Sequence, residues 1–145
     1  MTPLRALVVE DSEDDALLLA LEMRRGGCDF VYTRVETAED MKAALESGAW
    51  DVVISDYSMP HFSAPAALRV LKETGLDLPF IIVSGTVGEN VAVEAMKAGA
   101  HDYILKGNLT RLVPAMRREI EQAANRKERR HLEACLLYTS PSPRD

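Results

Sequence analysis

Short, unbroken apolar runs alternate along the chain with longer stretches in which apolar residues return every three or four positions. The runs Leu7-Val8-Val9, Val52-Val53-Ile54, Phe80-Ile81-Ile82-Val83 and Tyr103-Ile104-Leu105 are too short for buried helices. They also lack the apolar/polar alternation of a half-solvated strand, so they read as strands covered on both faces. The pattern predicts strands near 4–9, 29–35, 51–55, 79–84 and 102–105, with helices near 13–26, 37–47, 64–74, 88–98 and 109–134. Ala16, Leu17, Leu19, Ala20 and Met23 recur at helical spacing in the first helix, and Gly26-Gly27 supplies its stop. Thr37 with Asp40 makes an acidic relative of the capping box for the second helix, which ends at Ser47-Gly48. Ser63 caps the third, with Pro65 in its first turn.

Five strand-then-helix units predict an α/β fold, a doubly wound five-stranded parallel sheet with helices on both faces. Such sheets gather their strand C-termini along one edge, and a strand order of 2-1-3-4-5 places the crevice between the first and third strands. The residues that follow the apolar runs are therefore the informative ones. Strand one runs into Glu10-Asp11, strand three through Ser55 into Asp56, strand four into Ser84 and strand five into Lys106.

Glu10, Asp11 and Asp56 packed together would repel one another and raise each other's pKa unless a cation neutralised them. Oxygen donors without nearby His or Cys favour Mg²⁺, with Mn²⁺ as a substitute. Lys106 adds a mobile positive charge and Ser84 a hydroxyl, both suited to phosphoryl oxygens. In-line attack by a carboxylate on a phosphoryl group needs little beyond positioning and charge neutralisation, which makes Asp56 the expected nucleophile. Singly, each residue has an ordinary explanation: Asp11-Ser12 as a helix cap, Lys106 as a solvated lysine, Ser84 as a local backbone partner. Their joint occurrence at four strand ends argues for a site.

The 145 residues, 47% hydrophobic and 28% charged, suit one ordinary globular domain. A net charge of −6 argues against direct nucleic-acid binding and against anionic membranes. No leader pattern opens the chain and no apolar stretch is long enough to span a membrane, so a soluble cytoplasmic protein is expected. Cys28 and Cys135 have no metal-ligand spacing and fit a reduced compartment, with Cys28 as a small buried hydrophobe; His61, His101 and His131 read as surface residues. In the last helix the stripe Leu109, Leu112, Val113, Met116, Ile120 and Ala123 gives way to Asn125-Arg126-Lys127-Glu128-Arg129-Arg130-His131. That run is either a solvated face or a helical linker toward a further domain. Residues 1–124 are thus read as the domain and 125–134 as a helical extension. Residues 135–145 abandon the helical pattern, look like translated sequencing adapter and are set aside. A native chain cut near Ala134 would lack a downstream output domain.

Over residues 3–124 the chain resembles the receiver domain of bacterial two-component response regulators. The resemblance rests on Leu7-Val8-Val9-Glu10-Asp11-Ser12, Ser55-Asp56-Tyr57-Ser58-Met59-Pro60, Ile82-Val83-Ser84-Gly85 and Ala98-Gly99-Ala100-His101-Asp102-Tyr103-Ile104-Leu105-Lys106. It implies the flavodoxin-like order 2-1-3-4-5. It also implies an Asp56 that accepts phosphate from a sensor histidine kinase or phosphotransfer protein. By the same resemblance Asp11, Asp56 and the Ser58 backbone carbonyl would coordinate Mg²⁺, with Glu10 acting through water, and Lys106 would pair with the phosphoryl group. Ser84 and Tyr103 would act as the switch, altering the face made by helix four, strand five and helix five, through which a homodimer could form. Ser58 and Thr86 would tune dephosphorylation.

The chain departs from the family pattern in three places. Lys106-Gly107 stands for the usual Lys-Pro and removes the proline on which a cis peptide depends, Glu10-Asp11 stands for Asp-Asp, and Ala64 stands where Gly is common. Two other classes compete. An aspartyl-phosphate phosphatase of the haloacid dehalogenase type would want an Asp at position 58, and a flavodoxin would want a hydroxyl-rich loop where this chain has Glu10 to Asp15. A receiver-like module that docks without phosphate is the third possibility, and the intact acceptor and lysine argue against it.

Overall fold

The computed structural model describes residues 3–57, 59, 61–85 and 89–139, with backbone alone at 89 and 133–139. Five strands, β1 (Leu4–Val9), β2 (Phe30–Val35), β3 (Val52–Asp56), β4 (Phe80–Ser84) and β5 (Asp102–Leu105), form one sheet in the order β2-β1-β3-β4-β5. Every pairing is parallel, with Val9 opposite Val35 and Ser55, Asp56 opposite Val83, and Ser84 opposite Leu105. The fold class and strand order expected from the sequence are therefore the ones found. All four ends that carry polar chemistry lie along one edge of the sheet.

Five helices connect and flank the strands: α1 (Glu13–Arg25), α2 (Ala38–Ser47), α3 (Ala64–Thr74), α4 (Glu89–Ala98) and α5 (Leu112–Thr139). The unbroken apolar runs follow from burial on both sheet faces. Ala6, Val8, Ile54, Ile81, Val83 and Ile104 pack beneath α1 and α5, against Leu19, Met23, Leu112, Val113 and Met116. Leu7, Val9, Val53, Phe80 and Ile82 turn the other way, toward Met41, Leu45, Leu68, Leu71 and Ala95 of α2, α3 and α4. Each fully buried side chain of this size contributes about 1.5–3 kcal/mol relative to exposure.

The predicted caps form as read. Thr37 Oγ1 accepts the Asp40 amide at 3.1 Å, and Ser63 Oγ accepts that of Ala66 at 3.3 Å, with Pro65 in the first turn. At α1 the cap is Ser12, whose Oγ accepts the Asp15 amide at 3.2 Å, so Asp11 is left for the site.

Several expectations need correction. Leu17 does not join the core but lies exposed with Leu18 and Leu21. The last helix does not begin at 109, because Lys106–Arg111 is a 3₁₀ segment in which Asn108 leaves helical geometry (φ −135°, ψ 50°). It also does not stop at 134, since α5 runs unbroken to Thr139. Its basic run is only partly a solvated face: Arg126 Nε and Nη2 hold Asp77 at 3.0 and 3.1 Å, and Arg130 Nη2 reaches the same carboxylate at 3.1 Å. The two guanidiniums hold the Asp77 carboxyl below its ordinary range, against the smaller opposing effect of burial. His101 is half-buried rather than a surface residue, its Nδ1 accepting the Phe80 amide at 3.0 Å while its own amide donates to the Phe80 carbonyl at 2.8 Å. Burial, and secondarily Arg126, lowers its pKa. Cys28 is buried as expected, and among the described residues every peptide bond is trans.

Gly26, the C-cap of α1, sits against α5, where an added Cβ would stand 2.8 Å from Val113 Cγ2 and 3.1 Å from its Cβ. Val113 is stiff at χ1 and its Cβ is fixed by the helix, so it cannot yield cheaply. Gly26→Ala is therefore expected to destabilise the domain by about 1–3 kcal/mol, measured as a lowered urea midpoint at unchanged slope.

Candidate functional site

Glu10 follows β1 directly and is held from both sides: its amide donates to the Val35 carbonyl at 3.0 Å, and its carbonyl accepts from Arg34 Nη1 at 3.0 Å. That fixes its side chain beneath the edge of the sheet, 1% exposed. Asp56 ends β3 and is also buried, while Asp11 lies on the surface between β1 and α1. One carboxylate oxygen from each of the three falls within 4.8 Å of the others. Ser84 ends β4, fully buried. Tyr103 is half-buried on β5, packed against the α2–α3–α4 side of the sheet.

Lys106 reaches back across the edge from the start of the 3₁₀ segment. Its Nζ lies 3.4 Å from Asp56 Oδ1 and 3.5 Å from Glu10 Oε1, and it donates a hydrogen bond of 2.8 Å to Asp15 Oδ2. The structure thus brings together Glu10, Asp11, Asp56 and Lys106, with Ser84 at the end of the neighbouring strand. Ser58 and Thr86 lie outside the described residues.

The electrostatics follow from this crowding. Burial and, next, the Asp56 charge raise the Glu10 pKa to about 7, against the opposing pull of Lys106. For Lys106 burial disfavours the ammonium, but the Asp15 hydrogen bond and the charges of Glu10, Asp56 and Asp15 outweigh it and raise its pKa. Among the described residues Glu10 Oε1 is the buried side-chain polar atom without a hydrogen bond. A buried carboxylate oxygen that makes no hydrogen bond, only the 3.5 Å ion pair with Lys106, within a cluster of oxygen donors fits a hard divalent cation, which would relieve the Asp56 repulsion that adds to burial in raising Glu10. Glu10, Asp11 and Asp56 could hold such an ion.

This geometry agrees with the comparisons. Residues 6–117 match the model of the response regulator receiver domain. The chain belongs to the response regulator receiver family. The receiver is 33% identical over 106 residues to the transcriptional regulatory protein FixJ of Rhizobium meliloti, covering 73% of this chain and 51% of FixJ. The crystal structure of FixJ-N superposes with a TM-score of 0.70 at 32% identity, covering 83% of this chain and 96% of that one. Another relative is the DNA-binding transcriptional regulator NtrC of Salmonella typhimurium, 29% identical over 130 residues, of which the receiver spans 89% of its own length and 28% of NtrC. The receiver domain of the sensor histidine kinase PA1611 from Pseudomonas aeruginosa, solved with a magnesium ion coordinated in its active-site cleft, shares the fold (TM-score 0.69, 21% identity, 83% of this chain and 99% of that one). Receivers of this family are signalling domains rather than conventional enzymes. Among the described residues no helix is long and apolar enough to cross a membrane.

Sequence reasoning missed one member of the receiver's site. Asp15 sits in the acidic first turn of α1, where carboxylates are expected simply to complement the helix dipole. Only the tertiary placement of Lys106 separates it from Glu13 and Asp14.

Because Glu10 is easier to protonate in the folded receiver than in the unfolded chain, its contribution favours folding below about pH 4.5 and is lost as pH rises through about 7. In metal-free protein Glu10→Gln should therefore be more stable than the parent above pH 7, by about 1–3 kcal/mol, with the difference vanishing near pH 4. Thermal melts at pH 4 and pH 8 with a chelator test this, and added Mg²⁺ should stabilise the parent more than the variant.

Proposed function

We propose that this receiver accepts a phosphoryl group on Asp56 from the phosphohistidine of a sensor histidine kinase or a phosphotransfer protein, and that the phosphoryl group switches a docking face. The observation that carries this reading is the Lys106 ammonium 3.4 Å from Asp56 Oδ1, at an edge where the oxygens of Glu10, Asp11 and Asp56 converge. An Asp56 carboxylate oxygen attacks phosphorus in line. The P–O bond forms as the P–N bond breaks, and the P–N electron pair leaves with the imidazole nitrogen, which takes up a proton from solvent. Lys106, 3.4 Å from Asp56 Oδ1, provides the positive charge that the phosphoryl oxygens meet.

Glu10, Asp11 and Asp56, with the Ser58 backbone carbonyl, are the residues that would hold Mg²⁺, with Mn²⁺ as an equivalent. When bound, the ion would supply positive charge to the phosphoryl oxygens and relieve the repulsion among the acids. After transfer the Ser84 hydroxyl, at the end of β4, donates to a phosphoryl oxygen. Tyr103 then moves inward from its half-buried position on β5 and alters the α4-β5-α5 face. Ser58 and Thr86 tune hydrolysis of the acyl phosphate.

The downstream partner is read from that face, either as an output domain or as a second copy in a homodimer. The receiver spans half of FixJ and less of NtrC, which is the arrangement expected of one module in a longer regulator. The setting is cytoplasmic, where kinase and nucleotide are found, and with a net charge of −6 the receiver itself makes no direct nucleic-acid contact.

Incubation with Mg²⁺ and acetyl phosphate should add the mass of one phosphate, labile to hydroxylamine, in the parent and not in Asp56→Asn. No gain by a folded parent protein would overturn the acceptor role.

A further inference from the structure

We propose that Asp15 is a positioning residue for phosphoryl acceptance. It holds Lys106 at a resting place beside Asp56, and the arriving phosphoryl group draws the lysine away from it. This rests on the reading of Asp56 as the acceptor.

Three carboxylates surround one ammonium, and they do not share it equally. Asp15 Oδ2 takes the short, hydrogen-bonded contact at 2.8 Å, while Asp56 Oδ1 and Glu10 Oε1 stand off at 3.4 and 3.5 Å. The lysine best placed to serve Asp56 thus spends its strongest bond on a residue of α1. The neighbouring acids of the same helical turn do something else. Glu13 pairs with Arg34 at 3.3 Å, and Asp14 is exposed. Asp15 and Lys106 also line, with Leu18, Leu19 and Leu109, a cleft of about 70 Å³, so the pair sits beside apolar neighbours while both side chains stay partly exposed.

Phosphorylation changes the competition. A carboxylate with one charge becomes an acyl phosphate with close to two, carrying three acceptor oxygens. The ammonium then gains more at Asp56 than at Asp15. In the unphosphorylated receiver the reverse holds, and each transfer must first detach Lys106 from Asp15. The tie joins α1 to the segment after β5, ninety-one residues away in sequence, so its release removes a polar link between the two and leaves the apolar packing of Leu109 beside Leu19.

The test uses the whole chain with Mg²⁺ and acetyl phosphate, in which the P–O bond to acetate breaks as the bond to Asp56 forms. Asp15→Asn should accept phosphate about two- to fivefold faster than the parent, the range a half-exposed ion pair supports. Asp15→Glu should return the rate toward the parent's. Asp14→Asn removes the same charge from the same turn without touching Lys106, so it should leave the rate unchanged. In a Lys106→Met background, Asp15→Asn should have no further effect, because the residue it acts through is gone. Circular dichroism of each variant checks that the fold is intact. Equal rates for parent and Asp15→Asn, equal acceleration by Asp14→Asn, or acceleration that survives loss of Lys106 would each overturn the positioning role. A parent that takes up no phosphate would remove the acceptor reading, and this role with it.

Discussion

Glu10 and Asp56 are taken out of water at the same end of the sheet, and the ammonium of Lys106 is what makes that arrangement tolerable without a metal. Two buried carboxylates a few ångströms apart disfavour each other's ionised form. Burial first and the Asp56 charge second raise the Glu10 pKa, and the Lys106 charge only partly offsets them. Everything at this edge is arranged around the residual imbalance. The Arg34 guanidinium grips the Glu10 backbone, the Ser12 amide leans toward Glu10 Oε2 at 3.4 Å, and Asp15 draws on the same lysine as Asp56. A cluster of carboxylates left short of positive charge is one that could hold a divalent cation.

The parallel sheet is what allows such an imbalance to be maintained. Two apolar layers, one under α1 and α5 and the other under α2, α3 and α4, hold the strand ends in fixed register, so charged residues at those ends cannot move apart to relieve repulsion. Val9 opposite Ser55 and Asp56 opposite Val83 set Glu10 and Asp56 on adjacent strands. The stabilisation resides in the layers, while the strain is confined to the edge.

Much of this was legible in the sequence because it depends on local pattern. Unbroken apolar runs identify strands buried on both faces, and a polar residue after such a run has nowhere to go but the edge, which is how Glu10, Asp56, Ser84 and Lys106 were found. What the pattern could not carry were contacts made across the fold. Asp15 looks like any acid in a helix's first turn until Lys106 arrives from ninety-one residues away. His101 looks like an exposed histidine until the Phe80 amide is seen to need its ring nitrogen. The anchoring of Arg126 to Asp77 likewise joins residues 49 apart, and nothing in a basic run names its partner. The start of α5 differs for another reason: Leu109 continues the stripe of Leu112, Val113 and Met116 at helical spacing, and only the backbone angles at Asn108 set residues 106–111 apart from the helix.

The Asp77 carboxylate grips α5 at Arg126 and Arg130, and β4 begins three residues after it at Phe80. From Arg126 the helix continues for eight residues to Ala134, about 12 Å at the usual rise per residue. That makes the grip a fulcrum. A helix pivoting there by about 10° would carry that end through roughly 2 Å, about half the distance of a side-chain contact. A displacement too small to notice within the domain body becomes, at that distance, the difference between touching a neighbouring surface and missing it.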